Sequence, residues 1–218
     1  MEEVAHDDLL LHHSILESSE AAMRFYTQMS GEHPSEASFI RDWCAITLHR
    51  DFGRAIAIET NRAKFRASYV TTDEGRAVFD RAGRSKQFKI DLIICDPAGS
   101  DRVTSRLRAI VEFTTDAHRK TIKSNIERTA SLLSAVHDAD KPEDESRFGY
   151  EVVCVAYASS LYVDQDLDYF LALQGSRDCP YVTKVHSRRF ELEVPAGEDK
   201  GQWHCAAFGL VLAPMAAR

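Results

Sequence analysis

The sequence lacks any long hydrophobic run. No stretch approaches the roughly 18 uninterrupted apolar residues that a membrane span requires. Its first residues, MEEVAHDDLLLHHS, are acidic where a signal peptide would be basic. We therefore expect a soluble, cytoplasmic protein that does not associate with membranes.

Several sequence motifs of common active sites are also missing. There is no G-x-S-x-G nucleophile motif and no glycine-rich phosphate loop, and the histidines show no zinc spacing. The five cysteines are scattered, include no C-x-x-C pair, and lie mostly among apolar neighbours. We expect them to be reduced core residues, which excludes a disulfide framework and a zinc site. They are Cys44, Cys95, Cys154, Cys179 and Cys205.

The composition is that of a globular protein with an acidic surplus. The 218 residues are 44% hydrophobic and 28% charged, which favours one domain spanning residues 1–218. The net charge of −7 argues against nonspecific coating of nucleic acid. Residues 81–128 nevertheless hold eleven Lys/Arg against six Asp/Glu, a local balance of +5. This basic middle suits a confined anionic substrate, although a mixed solvated surface would also explain it.

Hydrophobic spacing predicts the early elements as two helices and a strand. The helices cover residues 7–29 and 35–50, the second with Ser35 as N-cap and Glu36 in its first turn, and the strand covers residues 54–60. Residues 61–85 are predicted as a hairpin or an irregular connection, with a possible strand at FRASYVTT.

The middle of the chain predicts two adjacent antiparallel strands followed by a helix. The strands are KQFKIDLIICDP and RLRAIVEFTT, joined by a turn at GSDR, and the helix covers residues 116–137 with Asp116 as its cap. A charged linker at residues 138–147 precedes a buried strand, YEVVCVAYA. A short helix near DQDLDYFLAL and strands at RRFELEV and CAAFGLVLAP complete the chain.

Two carboxylates lie inside these apolar strands. Side chains alternate across a strand, so Lys89 shares a face with Asp91. Pairing of the two strands would let Asp91 and Glu112 converge at one edge of the sheet, where a magnesium or manganese ion would offset the cost of their burial. Structural explanations remain for each residue: backbone amides at a strand start could hold Asp91, and an arginine such as Arg106 or Arg108 could pair with Glu112.

The segments KIDLIICDP and AIVEFTT, with the following helix KTIKSNIERTASLL, resemble the PD-(D/E)XK nuclease superfamily. The resemblance covers residues 35–157 and implies a restriction-endonuclease-like αβββαβ core, with an N-terminal helical extension at 1–30 and a C-terminal elaboration at 158–218. It implies that Asp91 and Glu112 are magnesium ligands. The upstream SEASFIRDW is similar to the family's first core helix, and its acidic residue would be Glu36, which could equally be a first-turn residue that interacts with the helix dipole.

The sequence departs from the family at Thr114, which stands where the family has a lysine that positions the attacking water and stabilises charge on phosphate. The family tolerates relocation of this lysine, and Lys89 is the best candidate by geometry. Lys120 and Lys123 are weaker candidates, and with Arg119 they are candidate nucleic-acid contacts.

Three functions therefore remain open. The first is a metal-dependent nuclease that hydrolyses DNA, with RNA as a further possible substrate. The second is a non-catalytic protein of the same fold that binds nucleic acid, a protein partner or a second copy of itself. The third is an unrelated α/β protein whose carboxylates are only structural.

Overall fold

The computed structural model describes residues 2–32, 36–82, 89–95, 107–137, 147–193 and 201–215. The helices of this part of the chain are α1 (Glu2–Ser30), α2 (Ala37–Phe52), α3 (Arg62–Tyr69), α4 (Asp73–Ala82), α5 (Arg119–Val136) and α6 (Ser160–Leu173). The strands are β1 (Ala55–Asn61), β2 (Lys89–Cys95), β3 (Leu107–Thr114), β4 (Phe148–Tyr157), β5 (Val182–Glu193) and β6 (Gln202–Leu212). None of these helices is long and apolar enough to cross a membrane.

The strands form one mixed sheet in the order β1-β2-β3-β4-β6-β5. Strands β3 and β4 are parallel and are joined through α5, because parallel neighbours need a crossover connection; every other neighbouring pair is antiparallel. The predicted α/β class is confirmed, as is the antiparallel pairing of β2 with β3. The predicted run of three consecutive strands is interrupted, because α3 and α4 lie between β1 and β2.

Helices cover both faces of the sheet, because alternate residues of the central strands are apolar on each side. One face packs against α1 and α2, with Ile15, Leu48 and Tyr150 among its buried residues. On the opposite face, one cluster packs residues of α3, α4 and the end of α5 against β2 and β3. A second cluster packs residues of α5 and α6 against β4, β5 and β6. The site discussed below lies on the side covered by α5.

The prediction for residues 61–85 was wrong, because helices α3 and α4 occupy residues 62–82 of this stretch. The Asn61 side chain caps α3 by accepting a hydrogen bond from the Lys64 N–H. Phe65 and Tyr69, four residues apart, share one side of α3, and Phe65 is fully buried against Phe79 of α4. The β-branched residues of FRASYVTT were therefore a weaker signal than this helical spacing of aromatics.

Two predicted helix caps were also wrong. Glu36, not Ser35, is the N-cap of α2, and Ser35 lies outside the described residues. His118, not Asp116, is the N-cap of α5; the Asp116 carboxylate instead accepts a hydrogen bond from the His118 N–H at 2.8 Å. In each case the helix begins later in the chain than the first polar residue suggested.

The prediction for the cysteines is confirmed, since all five are buried free thiols. The predicted turn at residues 99–102 and nearly all of the predicted linker at 138–147 lie outside the described residues.

Candidate active site

Four carboxylates lie at neighbouring positions on four adjacent strands. Glu112 of β3 is paired directly with Glu151 of β4. Asp91 lies one residue beyond the Leu92–Val111 pair of β2 and β3, which places it opposite Glu112. Glu59 of β1 lies between two residues that pair with the neighbours of Asp91. We call Glu59, Asp91, Glu112 and Glu151 the acidic row.

Asp91 is held by the strand beside it. Its Oδ2 accepts a hydrogen bond of 2.9 Å from the backbone N–H of Phe113, the residue after Glu112. Its Oδ1 lies 3.9 Å from Nη1 of Arg41, which belongs to α2. The side chain remains 27% exposed, so solvent or a ligand can reach the carboxylate. A backbone amide does hold Asp91, but the amide belongs to β3.

Glu112 is almost completely buried and forms an ion pair with α5. Its Oε2 accepts a hydrogen bond of 2.7 Å from Nη2 of Arg128, while its Oε1 is buried without a hydrogen-bond partner among the described residues. Burial raises the pKa of Glu112 well above its usual range; the charges of Asp91 and Glu151 act in the same direction and that of Arg128 acts against them. Arg128 is thus an arginine partner of Glu112, and Arg106 lies outside the described residues.

Glu151 is the second fully buried glutamate of the acidic row. Its Oε1 accepts a hydrogen bond of 3.1 Å from the Asn125 side chain, and its Oε2 is buried without a partner. Burial raises the pKa of Glu151 to about 8, although Asn125 and the charge of Arg128 both lower it. Asn125 and Arg128 lie three residues apart on α5, so one side of this helix faces both glutamates.

Glu59 forms the exposed end of the acidic row. Its Oε2 contacts the Lys89 ammonium at 2.5 Å, and its Oε1 contacts Arg41 Nη1 at 3.1 Å. These hydrogen bonds, that of Lys89 first, lower the pKa of Glu59. Glu59 has a φ of 48°, a left-handed conformation that costs roughly 1 kcal/mol or more in a residue with a Cβ. Arg41 contacts both Glu59 and Asp91, whereas Lys89 forms its ion pair with Glu59.

The remaining predicted residues lie around this row. Thr114 ends β3, and its hydroxyl accepts a hydrogen bond of 3.1 Å from the Asp116 N–H, so it shapes the turn into α5. Glu36 is exposed at the start of α2; within the described residues, no hydrogen bond or ion pair joins it to Asp91 or Glu112.

The predicted nucleic-acid contacts lie together on the first turns of α5, the helix that also carries Asn125 and Arg128. Arg119, Lys120 and Lys123 are all exposed there. The Arg119 guanidinium lies 4.6 Å from the centre of the Tyr169 ring, so it is partly fixed, whereas both lysines extend from the helix surface.

The acidic row offers a small number of oxygen ligands for a cation. No group of three His, Cys, Asp or Glu side chains in the described part of the chain is arranged to hold a metal ion. Magnesium commonly uses only one or two protein carboxylates and completes its shell with water, so a site made by two residues meets its requirement. Asp91, which is accessible, and Glu112, which is buried, lie on neighbouring strands and are the two candidate ligands.

Sequence reasoning missed Arg41, Arg128, Asn125, Glu59 and Glu151. The signal for Glu151 was available, because it is a lone glutamate in the apolar strand YEVVCVAYA, as Glu112 is in its own strand. Arg41 and Arg128 lie on helices and depend on tertiary packing, which no local pattern reveals.

Comparison with models of known protein families, with curated proteins and with solved structures found no match to this chain.

Proposed function

We propose that this protein is a metal-dependent nuclease that hydrolyses phosphodiester bonds of DNA, with RNA as a further possible substrate. The observation that carries the proposal is the pair formed by Asp91 and Glu112 on adjacent strands. Glu112 is buried with one oxygen unpartnered, and Asp91 is open to solvent beside it. Burying such a pair without a cation is costly, and a divalent ion offsets that cost.

The order of elements supports the same proposal. In our interpretation, α2, β1, β2, β3, α5 and β4 are the αβββαβ core of the restriction-endonuclease-like fold, and α3 and α4 are an insertion between the first two strands. Helix α1 and the C-terminal elements α6, β5 and β6 are then additions outside this core. Strands β6 and β5 extend the sheet on the side of β4, away from Asp91.

Asp91 and Glu112 would hold magnesium or manganese. Such an ion supplies Lewis-acid stabilisation of phosphate and a water activated for attack. The chain itself supplies positive charge through Arg41, which lies near Asp91 and contacts Glu59, and through Lys89, which contacts Glu59. Either cation is placed to stabilise negative charge on a phosphate at this edge of the sheet, the role that Thr114 cannot perform.

A second candidate function is a non-catalytic binding protein of the same fold. Two observations favour it. The Arg128–Glu112 ion pair occupies one oxygen of a proposed metal ligand. The Thr114 hydroxyl accepts a hydrogen bond within a turn. In this case the exposed cations on α5 would bind nucleic acid, or the surface of the helices would bind a protein partner or a second copy.

Metal binding and cleavage test the proposal together. We expect magnesium or manganese to raise the melting temperature of the wild-type protein, and Asp91→Asn or Glu112→Gln to remove that rise, because each variant loses a ligand charge while keeping its volume. Glu193→Gln, at an exposed position of β5, is the matched control. Cleavage should be measured on single-stranded and double-stranded DNA and on RNA with each metal.

The lysine hypothesis is tested in the same assays. Lys89→Ala should abolish cleavage and leave the metal-induced stabilisation intact, whereas Lys64→Ala, at an exposed position of α3, should leave both unchanged. A wild-type protein that is inactive on every substrate, yet gains activity from Thr114→Lys, would identify a non-catalytic member of the fold. Retention of the metal effect in the Asp91→Asn and Glu112→Gln variants would place the ion elsewhere.

A further inference from the structure

One guanidinium serves two buried carboxylates. Arg128 Nη2 donates to Glu112 Oε2 at 2.7 Å, and the charge of Arg128 also acts on Glu151, which is paired with Glu112 across β3 and β4. The Glu112 side chain is only 3% exposed, so its charge depends on a nearby cation more than a surface carboxylate would.

The region around Arg128 is still short of positive charge. Asp91, Glu112 and Glu151 influence one another electrostatically. Two of their oxygens, Glu112 Oε1 and Glu151 Oε2, are buried and have no hydrogen-bond partner in the part of the chain that the structure describes. Such atoms are unfavourable unless water or a cation satisfies them, so the site retains capacity for a positive ion beyond the guanidinium.

We infer that Arg128 controls the affinity of the acidic row for a divalent cation, because its guanidinium is the internal counter-ion of Glu112 and competes with the metal for this carboxylate. The inference rests on the metal site proposed above. It adds that the metal site is already occupied by a positive group in the metal-free protein, because Arg128 pairs with Glu112 until a metal displaces or repels the guanidinium.

The placement of Arg128 is suited to this exchange. Its side chain is 33% exposed, whereas that of Glu112 is almost fully buried, so the arginine can move its charge towards solvent while the glutamate stays fixed in β3. A guanidinium and a divalent cation on the same carboxylate repel each other strongly at low dielectric, so binding of one weakens binding of the other.

The test compares Arg128→Gln, Arg128→Lys and the wild-type chain by titration calorimetry with Mn²⁺ and by melting temperature with and without Mn²⁺. We expect Arg128→Gln to melt below the wild type without metal, to bind Mn²⁺ more tightly by on the order of tenfold, and to recover stability when Mn²⁺ is added. Arg177→Gln removes an exposed guanidinium to which no role is assigned and should bind Mn²⁺ as the wild type does.

Equal or weaker Mn²⁺ binding by folded Arg128→Gln would overturn the inference while leaving the metal site intact. If Arg128→Gln does not fold, Arg128→Lys provides the test, because its ammonium cannot reproduce the geometry of the guanidinium. Mn²⁺ binding to Arg128→Lys that is a few times tighter than to the wild type supports competition. Unchanged Mn²⁺ binding rejects it. If neither the wild type nor any variant binds Mn²⁺, the proposed metal site itself fails. Binding by Arg128→Gln alone would show that the arginine excludes the ion entirely.

Discussion

His12 on α1 gives the sharpest prediction for stability, because it is a buried histidine among positive charges. Its ring lies 4.7 Å from that of Tyr150 and 5.0 Å from that of His186, and its Nδ1 has no hydrogen-bond partner within the described residues. Burial lowers the pKa of His12 from 6.5 to about 3, and His186, Lys184 and Arg108 act in the same direction. Docking of α1 on the sheet therefore requires a neutral imidazole.

The sign and size of the effect follow from this depressed pKa. His12 is protonated near pH 6.5 in the unfolded chain and only near pH 3 in the folded chain. The contribution of neutral His12 to the free energy of unfolding is therefore fully present above pH 6.5 and is lost as the pH falls towards 3. Each pKa unit corresponds to about 1.4 kcal/mol, which gives a loss of about 2–3 kcal/mol at pH 4.5. For a chain of this size, that loss lowers the melting temperature by roughly 5–10 °C.

Thermal unfolding at pH 7 and pH 4.5 measures this loss, and His12→Phe should reduce it, because phenylalanine keeps the ring contacts and cannot be protonated. The matched control is His13→Phe: His13 is the next residue of α1 but is exposed, with Nε2 3.4 Å from Glu17. Other groups that titrate in acid contribute to all three proteins alike. If His12→Phe and the wild type lose the same stability between the two pH values, the burial of a neutral His12 is not what makes the protein acid-sensitive.

Two further predictions concern β4 and its neighbour β6. Because the pKa of Glu151 is raised from 4.5 to about 8, the stability gained from its protonated form is present below pH 4.5 and is lost as the pH rises through 8. Glu151→Gln should therefore be more stable than the wild type at pH 8 by up to about 4 kcal/mol, whereas Glu193→Gln should change little in urea unfolding. Destabilisation by Glu151→Gln at every pH would show that the ionised form is the native one. Gly209→Ala should lower the free energy of unfolding by about 1–3 kcal/mol or more in the same assay, because the new Cβ would lie 1.7 Å from the Tyr150 hydroxyl oxygen. Unchanged stability would mean that the Tyr150 ring moves freely.

The parts of the fold that could be predicted from the sequence are those with a strong local signal. The helices α1, α2 and α5 and the strand β4 follow from apolar spacing, and Asp91 and Glu112 are conspicuous as charges inside apolar runs. Helices α3 and α4 are short and rich in charge, so their identity depends on the burial of Phe65 and Phe79 against the sheet. The spacing of Phe65 and Tyr69 is a local signal for α3, whereas the contact of Phe65 with Phe79 depends on tertiary packing.

The partners of the acidic row depend on tertiary structure in the same way. Arg41 and Arg128 are separated from their carboxylates by many residues and reach them only because α2 and α5 pack where they do. The sequence suggested an arginine such as Arg106 or Arg108 for Glu112, and it gave no sign of Arg128, which reaches this buried strand residue from the covering helix α5.

The direct pairing of Glu112 with Glu151 also specifies how β3 and β4 align. A shift of either strand by one residue would turn its glutamate towards the face packed on α1 and α2, among residues such as Tyr150, Val111 and Leu48. Neither Arg128 nor Asn125 could follow, because both extend from α5 on the opposite side. The shifted chain would bury a carboxyl group without a hydrogen-bond partner, a penalty of about 1–3 kcal/mol. In a sheet whose other inner positions are interchangeable aliphatic residues, these two acids make one alignment of the parallel strands much more favourable than its neighbours.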